Sequence, residues 1–176
     1  MKKTTCFPPF NEIPPVIISL LSHFQSYAET RALFLAQLGL PSSCRDPFSE
    51  FSEMLAAALL NATLADSRIQ TGYDLIRPNG RKVQVKYLSN PSGKWINEHP
   101  LRFPDGVDEY ALVVFESLQV KSVLVFRQET INQVCALLRK KHPDQDRTLQ
   151  FTQRNYKTIL ARRAEFAALD VEIFEF

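Results

Sequence analysis

The sequence predicts a mixed α/β domain: a central mixed sheet flanked by helices, with an N-terminal helical extension. Three observations carry this expectation. Apolar residues recur at helical spacing over 15–38 and again over 47–64. Short β-rich segments punctuated by turn residues fill 68–126, and helical patterns return at 130–141 and 152–168 before a last β-rich run at 171–176. That order of helix, strands, helix and strand is the order of a sheet covered by helices. The expected division is an extension over 1–45 and an α/β core over 46–176.

The Pro-rich stretch 7–15 reads as an irregular lead-in, with Pro15 in the first turn of a helix that Gly39 and Pro41 stop. Ile17, Leu20, Leu21, Phe24, Leu33, Phe34 and Leu38 give it an apolar side that must pack on the rest or on a partner. A second helix is expected from Pro47 or Phe48 to about Leu64, with Phe48, Phe51, Leu55, Ala58, Leu59 and Ala62 as its main stripe. A hairpin follows: Arg68–Arg77, a Pro78-Asn79-Gly80 turn, and Arg81–Leu88. Residues 89–107 are rich in Pro, Gly and Asn and read as loop, while Ala111–Phe115 and Val120–Phe126 read as paired strands. Thr130–Lys141 is expected as a helix, Leu149–Phe151 as a short extended segment, Thr152 as the N-cap of a helix to about Ala168, and Val171–Phe176 as a strand.

Composition narrows the class. The chain has 176 residues, 45% of them hydrophobic and 23% charged, as expected for one globular domain with a sizeable core. The longest early apolar run, Val16–Leu21, is far too short for a membrane span, and the prolines after Lys2 and Lys3 argue against a signal peptide. Cys6, Cys44 and Cys135 are widely spaced with no CxxC pair, which points to reduced thiols in a cytoplasmic protein and away from a zinc site. The net charge of +2 conceals segregation: 68–102 carry seven Lys/Arg against two acids, and 139–163 carry eight against two. Two basic blocks of +5 and +6 on an otherwise acidic chain suit a polyanion such as nucleic acid; two solvated faces are the alternative.

The hairpin holds the chemistry. Strand residues two apart share a face, so Gln84 and Lys86 point together while Val83, Val85 and Tyr87 point the other way. With a three-residue loop of Pro78, Asn79 and Gly80, Asp74 faces Gln84 directly; a two-residue loop would slip the register and separate them. Carboxylate and carbonyl oxygens are the ligands Mg²⁺ prefers, and a lysine beside them can orient a water and stabilise charge developing on phosphorus. An exposed hairpin with an ordinary Asp–Lys pair is the plain alternative. In the preceding helix Glu53 lies among Ala57, Leu60 and Leu64 at helical spacing, an apolar setting in which a carboxylate is normally paired or metal-bound.

A helical Glu53, then Gly72-Tyr73-Asp74, a short hairpin and Gln84-Val85-Lys86 resemble the PD-(D/E)XK nuclease superfamily, which includes restriction endonucleases and Mrr-like enzymes. The resemblance covers Phe48–Lys86 well and the later element order more loosely. It implies a restriction-endonuclease-like core, with Glu53, Asp74 and Gln84 holding Mg²⁺ or Mn²⁺ and Lys86 serving the nucleophilic water. Tyr73 stands where the family has Pro, and Gln84 replaces the usual acid, removing one negative charge from the metal site.

Arg81, Lys94, Trp95 and Asn97 are candidate nucleic-acid contacts, Trp95 through base stacking or, alternatively, as a cover for the core edge. His99 in the same loop-rich stretch could assist the metal site, although a lone loop histidine is more often incidental; His23 and His142 read as structural. Two functions stay open: an endonuclease cleaving DNA, of restriction or defence type, and a nuclease-fold module weakened by Gln84 that binds nucleic acid or serves a larger complex. A third, a protein-interaction role for the N-terminal helix, needs no nucleic acid. A homodimer is expected from the resemblance alone.

Overall fold

Helix α1, Pro15–Gln37, opens on a proline whose missing N–H the first turn does not use, and closes on Gly39 in the left-handed region at φ 66°. There Leu40 N donates to Leu35 O at 2.9 Å and Gly39 N to Ala36 O at 3.0 Å, so two end carbonyls are satisfied. A computed structural model describes residues 15–41, 47–65, 72–90, 95, 99–138 and 148–176. It divides the chain into two compact units, Met1–Pro47 and Phe48–Phe176. In the first unit Phe24, Tyr27 and Leu33 are exposed.

The second unit is mixed α/β, with helices on both faces of a central, mainly antiparallel sheet. Helix α2, Pro47–Leu60, stops four residues short of the expected end, because Asn61 takes φ 48° and Ala62 N turns back to Ala57 O at 2.9 Å. Then come β1 Thr63–Leu64, β2 Leu75–Ile76, β3 Lys82–Asn90, β4 His99–Arg102, β5 Glu109–Glu116 and β6 Gln119–Arg127. A 3₁₀ turn, Gln128–Thr130, leads into α3 Ile131–Leu137, followed by β7 Thr148–Phe151, α4 Gln153–Ala161, α5 Arg163–Ala167 and β8 Glu172–Glu175. The sheet runs β1-β2-β3-β5-β6-β8, antiparallel throughout except for the parallel pair β3–β5.

Other expectations also need correction. The stretch 89–107 is not all loop: β3 runs on to Asn90, and β4 pairs with β7 in a separate two-stranded sheet. The expected long first hairpin strand is only Leu75–Ile76 among the described residues, and 66–71 lie outside them. The helix expected over 152–168 is two, parted at Arg162 with φ −118° and ψ 35°. Thr152 does cap the first of them, accepting from Asn155 N at 3.3 Å while Asn155 Oδ1 accepts from Thr152 N at 2.9 Å. Of the helix expected over 130–141, Ile131–Leu137 is seen and 139–147 lie outside the described residues.

Alternation along the strands divides the core in two. Val83, Val85, Ala111, Val113, Val123 and Val125 face α2, while Leu88, Tyr110, Leu112, Leu124 and Phe126 face α3, α4, α5 and the β4–β7 pair. The buried seam of α2 is Ser52, Ala56 and Leu60, with Phe48, Phe51, Leu55 and Leu59 on its flank and Ala58 exposed. Small residues at the seam let the helix approach the sheet closely, so it settles rotated from the stripe that side-chain size alone would choose. Phe48 then stacks on Tyr87 and meets Phe115 edge-on, at 5.8 and 5.2 Å between centroids.

Candidate active site

The hairpin adopts the register of the three-residue loop. Leu75 pairs with Val83 and Ile76 with Lys82, Arg77 N donates to Arg81 O at 2.9 Å, and Gly80 supplies the left-handed residue at φ 82°. One step beyond Leu75–Val83 the ladder sets Asp74 against Gln84. Asp74 Oδ2 accepts a hydrogen bond from the Gln84 side-chain amide and another, at 2.7 Å, from Val85 N. An ionised carboxylate only accepts, so the Gln84 nitrogen faces Asp74 and its oxygen is turned away. Gln84 is buried, Asp74 half-buried and Lys86 exposed, two residues farther along the same face.

This polar strip crosses onto β5. In the parallel register Gln84 lies beside Tyr110 and Lys86 beside Leu112. The buried Tyr110 hydroxyl meets His99 Nε2 at 2.8 Å, bringing in β4. Burial pushes the Tyr110 hydroxyl well above its ordinary value, and the nearby Asp74 charge adds to the shift. Burial also holds the His99 imidazole below its ordinary value, assisted by the Lys86 ammonium. Asp74, Gln84, Lys86, Tyr110 and His99 thus form one electrostatic neighbourhood. Tyr110 is not legible as a site residue in the sequence because it sits in an apolar strand, whereas His99 is open there to two readings, an aid to the metal site or an incidental loop residue.

The other expected residues are placed differently. Glu53 is half-buried and accepts from Ser49 Oγ at 3.4 Å, but its helix α2 covers the opposite face of the sheet from Gln84 and Lys86. Arg81 is committed inside the protein, with a nitrogen 3.0 Å from Glu129 and another 3.6 Å from the buried Glu109. Trp95 stacks on Tyr156 at 5.3 Å and donates from Nε1 to Glu116 at 2.7 Å, which is the core-edge role. Lys94 and Asn97 lie outside the described residues. Among the described residues no helix is long and apolar enough to cross a membrane.

No protein-family model matches the chain, and no curated protein matches its sequence.

Proposed function

We propose that this chain is a metal-dependent nuclease of the PD-(D/E)XK kind, with a restriction-endonuclease-like core that hydrolyses phosphodiester bonds in DNA. The observation that carries the reading is the convergence of Asp74, Gln84 and Lys86 on one sheet face in the register that sets the acid opposite the amide. The donor chemistry suits a hard cation. Both hydrogen bonds that Asp74 accepts from described residues fall on Oδ2, leaving Oδ1 available, and Gln84 offers a carboxamide oxygen once its amide reverses. Asp74 and Gln84 would hold Mg²⁺ or Mn²⁺, which when bound supplies charge neutralisation at the scissile phosphate. Only the resemblance would add Glu53 to this set, and its helix α2 covers the other face of the sheet. Lys86, exposed on the same face, is suited to orient the attacking water and to stabilise negative charge growing on the phosphate oxygens.

One observation favours a second reading. The Gln84 amide occupies Asp74 with a hydrogen bond of its own, and the pair carries one negative charge where two acids would carry two. A nuclease-fold module that binds nucleic acid without cutting it has this character. Incubation of supercoiled plasmid with the protein and Mg²⁺ or Mn²⁺, with EDTA as control, separates the two. Metal-dependent nicking or linearisation supports the nuclease; salt-sensitive DNA binding with no cleavage in either metal supports the module and overturns the enzyme.

A further inference from the structure

His99 and Tyr110 form the one polar couple in this neighbourhood that the hairpin chemistry leaves unused. Tyr110 is 3% exposed and wedged edge-on against Phe103 at 5.8 Å between centroids, so its hydroxyl oxygen is held in place. Among the described residues that hydroxyl has a single hydrogen-bond partner, His99 Nε2 at 2.8 Å. A phenol carries its proton at neutral pH. A buried hydroxyl proton without an acceptor costs about 1–3 kcal/mol, and Nε2 is the acceptor at hand. If Nε2 carried a proton instead, the phenol proton would be stranded. The accounting therefore assigns Nε2 as acceptor, which puts the imidazole proton on Nδ1. Protonation of the ring would break the same arrangement, because Nε2 could no longer accept. Nδ1–H makes no hydrogen bond to a described residue, and His99 is half-buried, so a ligand can reach the ring.

We propose that His99, fixed as the Nδ1–H tautomer by the Tyr110 hydroxyl, is a further substrate-binding residue that donates from Nδ1 to a phosphate oxygen of the nucleic-acid backbone beside Lys86. The proposal rests on the nuclease-fold reading for the identity of the substrate, but not on catalysis. A neutral donor next to an ammonium suits a phosphodiester: the exposed Lys86 supplies the charge, and the half-buried imidazole supplies direction without the cost of burying a cation. Tyr110 is the positioning residue. It touches no substrate and acts by choosing which ring nitrogen carries the proton.

The test is nuclear magnetic resonance on protein with isotope-labelled histidine, the His99 signals being assigned by their loss in His99→Asn. The expected result is an Nδ1–H ring at neutral pH whose Nδ1 signal moves as a short thymidine oligonucleotide is added without metal. In Tyr110→Phe the two tautomers should mix. An Nε2–H ring, or an Nδ1 signal unmoved by saturating oligonucleotide, overturns the proposal. A cleavage assay gives a second reading where the wild type cuts. Loss of one oriented donor to a charged phosphate in His99→Ala should then slow single-turnover cleavage by roughly tenfold to a hundredfold, with Mn²⁺ affinity unchanged. His99→Asn, whose amide N–H stands near the place of Nδ1–H, should recover part of the loss, and Tyr110→Phe should add nothing in the His99→Ala background. Additive losses would show that Tyr110 acts on its own and overturn its positioning role. If the wild type does not cut while the His99 signal still answers oligonucleotide, the nuclease reading fails and the phosphate contact stands.

Discussion

Arg77 Nε lies 2.7 Å from Glu109 Oε2, an ion pair whose acid has no solvent exposure, and it joins the turn end of the β2–β3 hairpin to the first residue of β5. Arg81 and Arg127 approach the other oxygen at 3.6 and 3.7 Å, and the three arginines reach outward to Glu172, Glu129 and Asp170. Burial raises the Glu109 carboxyl above its ordinary value while the arginines pull it back. Removal of the central anion leaves three guanidiniums facing one another. Glu109→Ala should therefore lose about 3 kcal/mol of stability in urea unfolding, whereas a loss near zero would show that the outer acids hold the arginines unaided.

Asp74 has a structural task beside its proposed chemical one, since it receives the Val85 N–H and the Gln84 amide. Asp74→Ala should abolish cleavage and also cost about 1–3 kcal/mol, because two buried donors lose their acceptor. Asp74→Asn, which keeps an acceptor oxygen for one of them, should be nearly as inactive but more stable than Asp74→Ala. Equal cleavage by wild type and Asp74→Asn would remove Asp74 from the metal site.

Gln84→Glu converts an amide-to-carboxylate hydrogen bond with Asp74 into a meeting of two carboxylates. Without metal the variant should melt at lower temperature than the wild type, because like charges repel in a half-buried place. Mn²⁺ should restore the loss, and calorimetry should show tighter binding than in the wild type. If Mn²⁺ moves neither melting temperature nor affinity more than in the wild type, Gln84 is not at a metal position.

Stability should also report on His99. Its folded value lies below the ordinary 6.5, so an unfolded chain takes up the proton at a pH where the folded one resists. The contribution of this group is complete above the unfolded value and is lost as pH falls through that value toward the folded one. Wild type should lose more stability than His99→Asn on going from about pH 7.5 to pH 5.5, and parallel losses would mean that His99 titrates alike in both states.

DNA binding should weaken with salt, though less steeply than the two basic blocks imply. Each phosphate neutralised adds about 0.9 to the magnitude of the log–log slope. Arg77 and Arg81 are held by Glu109, Glu172 and Glu129, and Arg162 and Arg163 by Glu165 and Glu175, so these four are engaged at home. Arg154→Ala and Lys157→Ala on α4, both exposed, should each reduce the slope by about one if this helix grips the backbone. An unchanged slope would place the DNA elsewhere.

The hairpin was legible because its information is local. Strict alternation from Val83 to Tyr87 fixes the faces and the Pro-Asn-Gly turn leaves two loop lengths, of which the structure adopts the three-residue one that sets Asp74 against Gln84. The seat of Glu53 was not legible, since the rotation of α2 depends on how closely Ser52 and Ala56 let it approach strands far along the chain. Strand β4 was hidden by Pro100 and by a partner, β7, about fifty residues away. The link from His99 to Tyr110 is tertiary, and no spacing in the sequence announces it.

The parallel pairing of β3 with β5 also sets an order in time. Asp74 and Gln84 meet across a three-residue turn, a contact the unfolded chain can make at small entropic cost. Gln84 comes beside Tyr110 only after the segment between β3 and β5 has crossed back to run in the same direction, a slower closure over a longer loop. The acid and amide are therefore expected to pair early during folding, and the tyrosine and histidine to join them late. A chain caught between the two steps would hold the Asp74–Gln84 pair already made, with one flank of β3 still open to pairing with another molecule.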